Sequence, residues 1–375
     1  LKLYELGLIP DTLPRPVSFH LDAKLGQDTV NVRLNAGELK FRLRSRGPLE
    51  TLIKESTGFA DVLNRQIEER RLDHAELRRA LPLAGLVLTS GTDNPLYSYM
   101  AMQNIKYKEL NVGFVATPRI GINGRAAIHT LKVDTLQLDT VYLSIKQDTA
   151  LMALRSGVIN GPNNPHFVFN TSLTGEIRSE DAELTLKFDD GKGETGVLLG
   201  VNARPESDGI QFKLIPEQPT VAFRKFNFNG HNSVFVRNNL RVLADVEMLD
   251  SIGMGLRVKS PEEADSTDLQ NLDIELRAIE LADISKVLPY LPDISGLFFL
   301  EANYKQPAES MQVSAEGNVS RLFYENNRVG NLGLGVTWLP DNQGKHFLNA
   351  YMTNESVEVL TADGTYNTSG DVIDV

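Results

Sequence analysis

A chain of 375 residues that is 41% hydrophobic and 23% charged can bury a core, divide into two or three domains and escape disorder. Its 38 basic and 49 acidic residues leave a net charge of -11, which argues against nucleic acid as a partner and gives no support for docking on an anionic membrane. Without cysteine there is no disulfide, thiolate metal site or cysteine nucleophile, and without an apolar run near about 18 residues no segment spans a membrane.

Residues 1–46 read as strands, interrupted by Pro10, Pro14 and Pro16. Glu38 to Arg44 is the cleanest run: Leu39, Phe41 and Leu43 alternate with Lys40, Arg42 and Arg44. A strand has period two, so such a run makes one apolar face and one wet face. With Arg33 and Arg46 these cations form a basic run, read as a solvated strand face. Helical spacing takes over at Pro48. Leu49, Leu52 and Ile53 open a helix, Gly58 breaks it, and Phe59, Val62, Leu63 and Ile67 continue the apolar side. Asp73 then caps a short helix to Leu81. This block is read as a cap over a sheet edge or groove mouth, with a docking element or gate as the alternative.

Strands return from residue 83. Residues 125–147 carry Leu131/Val133, Leu136/Leu138 and Val141/Leu143/Ile145, and the apolar side switches between the sets, which predicts bulges or short turns. Ala150 to Ser156 has the spacing of one or two helical turns. Leu184, Leu186 and Phe188 lead a strand-rich stretch over 166–259, with turns at Asp189-Asp190-Gly191, Ser207-Asp208-Gly209 and Phe228-Asn229-Gly230. Ser260 to Gln270 reads as an acidic loop. Leu272, Ile274 and Leu276 begin the next strand, and Ile284 to Tyr290 fit a short helix ended by Pro292. Leu332, Leu334, Val336 and Trp338 alternate again, between turns at Asn326-Asn327 and at 341–344. The expected segments are 1–47 (β), 48–82 (helical insertion or cap), 83–259 and 260–375 (both β groove). Leu1 at the start and a strand-like end at Val375 suggest a piece of a longer protein.

No chemical motif survives its context. Gly191-Lys192-Gly193-Glu194-Thr195-Gly196 fits G-x-G-x-x-G, yet a dinucleotide loop must feed a helix, and strand-like Val197 to Val201 follows; it reads as a hairpin turn. His20, His74, His129, His166, His231 and His346 are too scattered for local zinc spacing and read as surface or loop histidines. There is no nucleophile elbow and no P-loop. Asp134/Asp139, Asp189/Asp190 and Glu262/Glu263 fall on wet faces or in turns rather than as a glycosidase pair. No enzyme activity, cofactor or metal is expected.

The stretch Asp273-Ile274-Glu275-Leu276-Arg277-Ala278-Ile279-Glu280-Leu281-Ala282-Asp283-Ile284, with Leu288-Pro289-Tyr290-Leu291-Pro292-Asp293-Ile294-Ser295-Gly296 after it, runs strand, short helix, proline and an "I-S-G" strand entry. Asn318-Val319-Ser320, Val329-Gly330-Asn331-Leu332 and Gly364-Thr365-Tyr366-Asn367 follow, and residues 131–140 and 164–170 fit the same style. These patterns resemble the TamB family of bacterial envelope proteins, most of all the large TamB-like proteins of Bacteroidetes, over most of residues 100–370. They are turn and strand patterns, not catalytic signatures.

The resemblance implies a mainly β fold: an elongated, curled sheet (a β-taco or U-shaped groove) with a small helical block near residues 48–81. It implies a periplasmic segment of a parent protein anchored in the inner membrane. Its groove would carry phospholipid acyl chains between inner and outer membranes, and an Omp85-type outer-membrane protein would be a partner of the parent. The expected lining is the apolar side of the alternating runs: Leu39, Phe41, Leu43, Leu131, Val133, Leu136, Leu138, Val141, Leu143, Leu184, Leu186, Phe188, Leu272, Ile274, Leu276, Leu332, Leu334, Val336 and Trp338. The alternative is a scaffold or chaperone that offers its sheet edge to outer-membrane β-barrel strands during assembly and secretion. A carbohydrate-active β protein is a third reading and would need an exposed aromatic platform.

Overall fold

The computed structural model describes residues 18–261, 270–288, 291–307, 311–341, 345–367 and 372–374. The loop expected at Ser260 to Gln270, the turn at 341–344, Pro289, Tyr290 and the prolines of the first 17 residues therefore lie wholly or largely outside the described residues. The protein is mainly β, its strands pair antiparallel, and the sheet does not close into a barrel. Two compact units divide between Glu194 and Thr195, inside the glycine-rich stretch and not at either boundary of the 83–259 segment.

The first unit is an antiparallel meander of β1 (Phe19–Leu25), β2 (Thr29–Ala36), β3 (Leu39–Arg46), β4 (Ala84–Ser90), β6 (Glu109–Thr117), β7 (Gly121–Val133), β8 (Leu136–Gln147), β9 (Leu151–Asn160), β10 (Phe169–Arg178) and β11 (Ala182–Asp190), each paired with the next. The two-residue β5 (Ile105–Lys106) pairs with the far end of β7. Alternation such as Leu39/Phe41/Leu43 builds these strands, because each ladder needs one consistent face on both neighbours.

Helices occupy the ends of this ladder. α1 (Leu49–Glu68) runs unbroken through Gly58, contrary to expectation. A mid-helix glycine costs about 1 kcal/mol against alanine, which a 20-residue amphipathic helix tolerates. α2 (His74–Arg79) starts as expected, with the Asp73 carboxylate accepting from the backbone N–H groups of Ala75 and Glu76 at 2.9 Å each. α2 reaches the turns at its end of the ladder: Arg78 donates to the carbonyl of Arg119. α3 (Pro95–Met102), at the opposite end, was not expected; Asn94 caps it, its side-chain oxygen accepting from Tyr97 N–H at 2.9 Å, and Pro95 opens the first turn. Residues 151–156, read as helical, are strand. Neighbours β8 and β10 both offer them ladder partners, and that pairing overrides local spacing.

The second unit is also a meander: β12 (Thr195–Glu206), β13 (Gly209–Val221), β16 (Ser233–Arg237), β17 (Val242–Leu249), β18 (Gly255–Lys259), β19 (Gln270–Glu280), β20 (Ile294–Gln306), β21 (Gln312–Tyr324), β22 (Asn327–Pro340), β23 (Lys345–Asn354), β24 (Val357–Asn367) and β25 (Val372–Asp374). Short β14 (Arg224–Lys225) and β15 (Asn227–Phe228) pair with β13 and β17. The β21–β22 and β23–β24 hairpins turn on residue pairs with positive φ: Glu325 and Asn326 at 46° and 64°, Glu355 and Ser356 at 50° and 67°. α4 (Leu281–Val287) begins three residues before its expected start. Its Asp283 is held by Arg224 Nε and Lys286 Nζ, both at 2.6 Å. Burial pushes the Asp283 carboxyl up, but the two cations outweigh it and hold the group below the usual carboxylate range.

Candidate functional site: an open apolar face

Residues directly opposed in an antiparallel ladder share a face, so the pairing register sorts every side chain. In the first unit one row runs Leu21, Leu34, Phe41, Leu88, Val112, Ala126, Leu143, Ser156, Leu173, Leu186 across ten strands. The adjacent row runs Ala23, Val32, Leu43, Leu86, Phe114, Gly124, Ile145, Leu154, Gly175, Leu184. A third, shorter row joins Leu110, Ile128, Val141, Val158, Thr171 and Phe188. Of these rows' twenty-odd positions, only Ser156 and Thr171 are polar.

The second unit repeats the pattern over eight strands. One row is Val246, Val258, Ile274, Ala302, Ala315, Val336, Ala350, Ala362. Its neighbour is Met248, Leu256, Leu276, Leu300, Gly317, Leu334, Met352, Leu360. Leu272, Tyr304, Val313, Trp338 and Leu348 form a third, and Phe298, Val319 and Leu332 a fourth.

These rows are not a closed core. No side chain in the two long rows of the first unit is buried, and in the two of the second only Val246 is. Leu184, Leu186, Leu334 and Val336 are each about 40% exposed. The buried residues of the first unit sit instead at the ends of its ladder. Val30, His74, Leu77 and Leu81 lie by the α1–α2 block; Ala36, Leu39, Ala101, Tyr107, Phe169 and Phe188 lie by α3 and the facing turns. A sandwich would bury the middle of the rows. Here the buried side chains gather at the ends, and the rows between them are neither closed off nor bare: their inner members are part-buried.

Most of the expected lining falls on these rows: Phe41, Leu43, Val141, Leu143, Leu184, Leu186, Leu272, Ile274, Leu276, Leu332, Leu334, Val336 and Trp338. Leu39 and Phe188 share the face but are buried in its capped end. Leu131, Val133, Leu136 and Leu138 do not continue it. They pair with one another beyond Thr130, a residue with φ 53°. Their register parity is that of His129 and Thr140, whose side chains meet at 3.2 Å, and not that of Val141 and Leu143. The change of apolar side expected from the sequence therefore falls between Leu138 and Val141 on β8, across from Thr130, with no shift of register. Leu86, Leu88, Val112, Phe114, Leu154, Leu256 and Leu300 were missed; Gly85, Val87, Gly113 and Val115 blur the alternation around the first four.

Two histidines are not at the surface. His346 is buried and its Nδ1 accepts from Trp338 Nε1 at 2.9 Å, with Tyr366 packed beside both rings. The lone tryptophan is thus part of an aromatic cluster. His74 is buried with no hydrogen bond at either ring nitrogen.

The opposite faces carry most of the charge, although Val87, Val115 and Ile159 stand exposed on that of the first unit, and the two units differ. In the second unit Glu275, Glu301 and Glu316 stand directly opposite one another on three successive strands, with Asp273 beside them. Arg277 grips Glu275 through two hydrogen bonds, at 2.5 and 2.7 Å, and holds its carboxyl below the usual range. In the first unit the basic run Arg33, Lys40, Arg42, Arg44 and Arg46 falls wholly on the polar face of β2 and β3. Among the described residues no group of His, Asp or Glu is placed to hold a metal ion, and no helix is long and apolar enough to cross a membrane. No protein-family model, curated protein or solved structure matches the chain.

Proposed function

We infer that the open apolar faces bind the acyl chains of lipids, and that the chain is a segment of a TamB-like phospholipid carrier of the bacterial periplasm. One observation carries this reading: near-continuous apolar rows run in register across ten strands and then eight, and nearly all of their side chains keep part of their surface exposed. Acyl chains would take the place of the missing second layer. Each buried methylene contributes about 0.8 kcal/mol, so part of one chain binds usefully. A ten-strand row is roughly 43 Å long at about 4.8 Å per strand. One leaflet of hydrocarbon is roughly 15 Å thick, so the row has room for more than one chain in succession. Binding by side chains of a face, without a convergent polar site, suits transport of varied lipids better than catalysis. On this reading the parent protein is anchored in the inner membrane and hands lipid toward an outer-membrane partner of Omp85 type.

Native mass spectrometry of the purified chain tests the reading. Co-purified phospholipid on the folded protein is expected, together with its loss from a Leu143→Asp variant that keeps its fold. A folded chain free of lipid, which also fails to take up added phospholipid, would overturn it.

A further inference from the structure

The register of the first unit also exposes a basic track on its polar side. One row reads Arg33, Arg42, Val87, Gly113, Arg125, Ser144, Arg155 across β2, β3, β4, β6, β7, β8 and β9. The rows to either side add Lys40, Arg44 and Lys146, and on these seven strands the three rows contain no carboxylate. Asp22 stands beyond Arg33 on β1, and Glu109 begins the next row, where Asn111 donates to it. None of the four arginines makes an ion pair among the described residues. In the second unit, by contrast, Arg257, Arg277 and Arg237 each meet a carboxylate: Glu247, Glu275 and Asp208. Arg33 and Arg42 face each other directly, an arrangement that costs stability unless an anion is shared. The whole-chain charge hides this track, because residues 195–375 carry all of the net negative charge.

We propose that this face docks on the phosphate headgroups of an anionic lipid bilayer. Guanidinium groups match phosphate in shape and charge. Successive arginines in the row are one, three and two strands apart, roughly 5, 14 and 10 Å. No small anion spans that, and a rigid polymer with a fixed phosphate repeat does not match uneven intervals. Headgroups in a fluid bilayer move sideways and can take up any spacing. Between the arginines the surface is low: Gly113, Thr89 and Ala127 floor a depression of about 470 Å³ beside Arg125. The contact uses the face opposite the apolar rows, so it does not depend on acyl-chain binding.

Sedimentation of the full chain with vesicles tests this. The chain should bind vesicles of phosphatidylglycerol mixed with phosphatidylcholine, ignore pure phosphatidylcholine, and release as salt rises from about 0.1 M to about 1 M. Each neutralised arginine should weaken binding about fivefold, the equivalent of about 1 kcal/mol. The pair Arg42→Gln and Arg125→Gln should therefore lose about 25-fold, while Arg237→Gln with Arg328→Gln in the second unit should lose none. Leu334→Asp should bind these vesicles as the wild type does, which separates this contact from the acyl-chain site. Thermal unfolding checks that each variant is folded, and Arg42→Lys with Arg125→Lys, which keeps the charge, should retain most binding. No preference of the wild type for anionic vesicles would overturn the proposal. So would tighter binding to duplex DNA or to polyglutamate at the same salt, which would identify a different partner.

Discussion

Leu334→Asp separates an open apolar face from a closed core. Leu334 lies mid-strand between Gly317 and Met352 and is 39% exposed. Full burial of a leucine contributes about 1.5–3 kcal/mol, so losing about three fifths of that costs roughly 1–2 kcal/mol. The new carboxylate keeps its access to water, and the further penalty of several kcal/mol for a buried unpaired charge does not apply. A unit of this size should then melt roughly 2–8 °C lower. Leu276→Asp, on an inner strand between Leu256 and Leu300, should cost more in the same direction. Bound lipid should fall sharply in both variants. The assay is thermal unfolding by circular dichroism, paired with lipid content by native mass spectrometry. Complete unfolding at room temperature would show that the row is an ordinary core. Normal folding with unchanged lipid would show that the row does not line the path.

Other outcomes follow from particular contacts. Glu301→Lys should stabilise the protein by about 0.5–1 kcal/mol in low salt, because Glu301 faces Glu275 and Glu316, and salt should shrink the gain; a loss would contradict the register. His74→Leu should be neutral or stabilising in thermal unfolding, since the buried ring gives up no hydrogen bond, and a loss above about 2 kcal/mol would refute that. Asp283→Asn should cost about 1 kcal/mol, a small value because Arg224 and Lys286 are each about half exposed. The folded Asp283 carboxyl lies below its unfolded value near about 3.9, so its contribution is present above that pH and is lost as pH falls through the lowered folded value. Wild type and Asp283→Asn should therefore converge in stability on acidification, and a constant gap down to strong acid would contradict the sign.

Period-two runs made the strands legible. Leu39/Phe41/Leu43 and Leu332/Leu334/Val336/Trp338 stand where alternation puts them, each run on one face of its ladder. Pairing was not legible, and it decided the errors. Leu131 to Leu138 alternate as cleanly as any run, but Thr130 and the tip hairpin remove them from the rows. Residues 151–156 have helical spacing, yet two ladder neighbours make them strand. Gly58 lowers helix propensity without ending α1, because a cost of about 1 kcal/mol at one position does not end a helix of 20 residues. The two-faced charge pattern was hidden by averaging: a net charge of -11 says nothing of a carboxylate-free band on seven strands. Leu86, Leu88, Val112 and Phe114, which were missed, sit beside Gly or Val on the wet side, where period two cannot be seen in one strand and appears only when neighbours are set in register.

Photo-crosslinking tests the central claim most directly. A phospholipid with a photoreactive group at the end of an acyl chain is loaded onto the full chain, and adducts are mapped by mass spectrometry. On β8 and β9, adjacent residues point to opposite faces: Leu143 and Leu154 to the apolar rows, Ser144 and Arg155 to the polar side. Adducts at Leu143 and Leu154 and their row neighbours, with none at Ser144 or Arg155, are predicted. Adducts divided evenly between the two faces, or confined to the polar one, would contradict an acyl-chain path along the open apolar face.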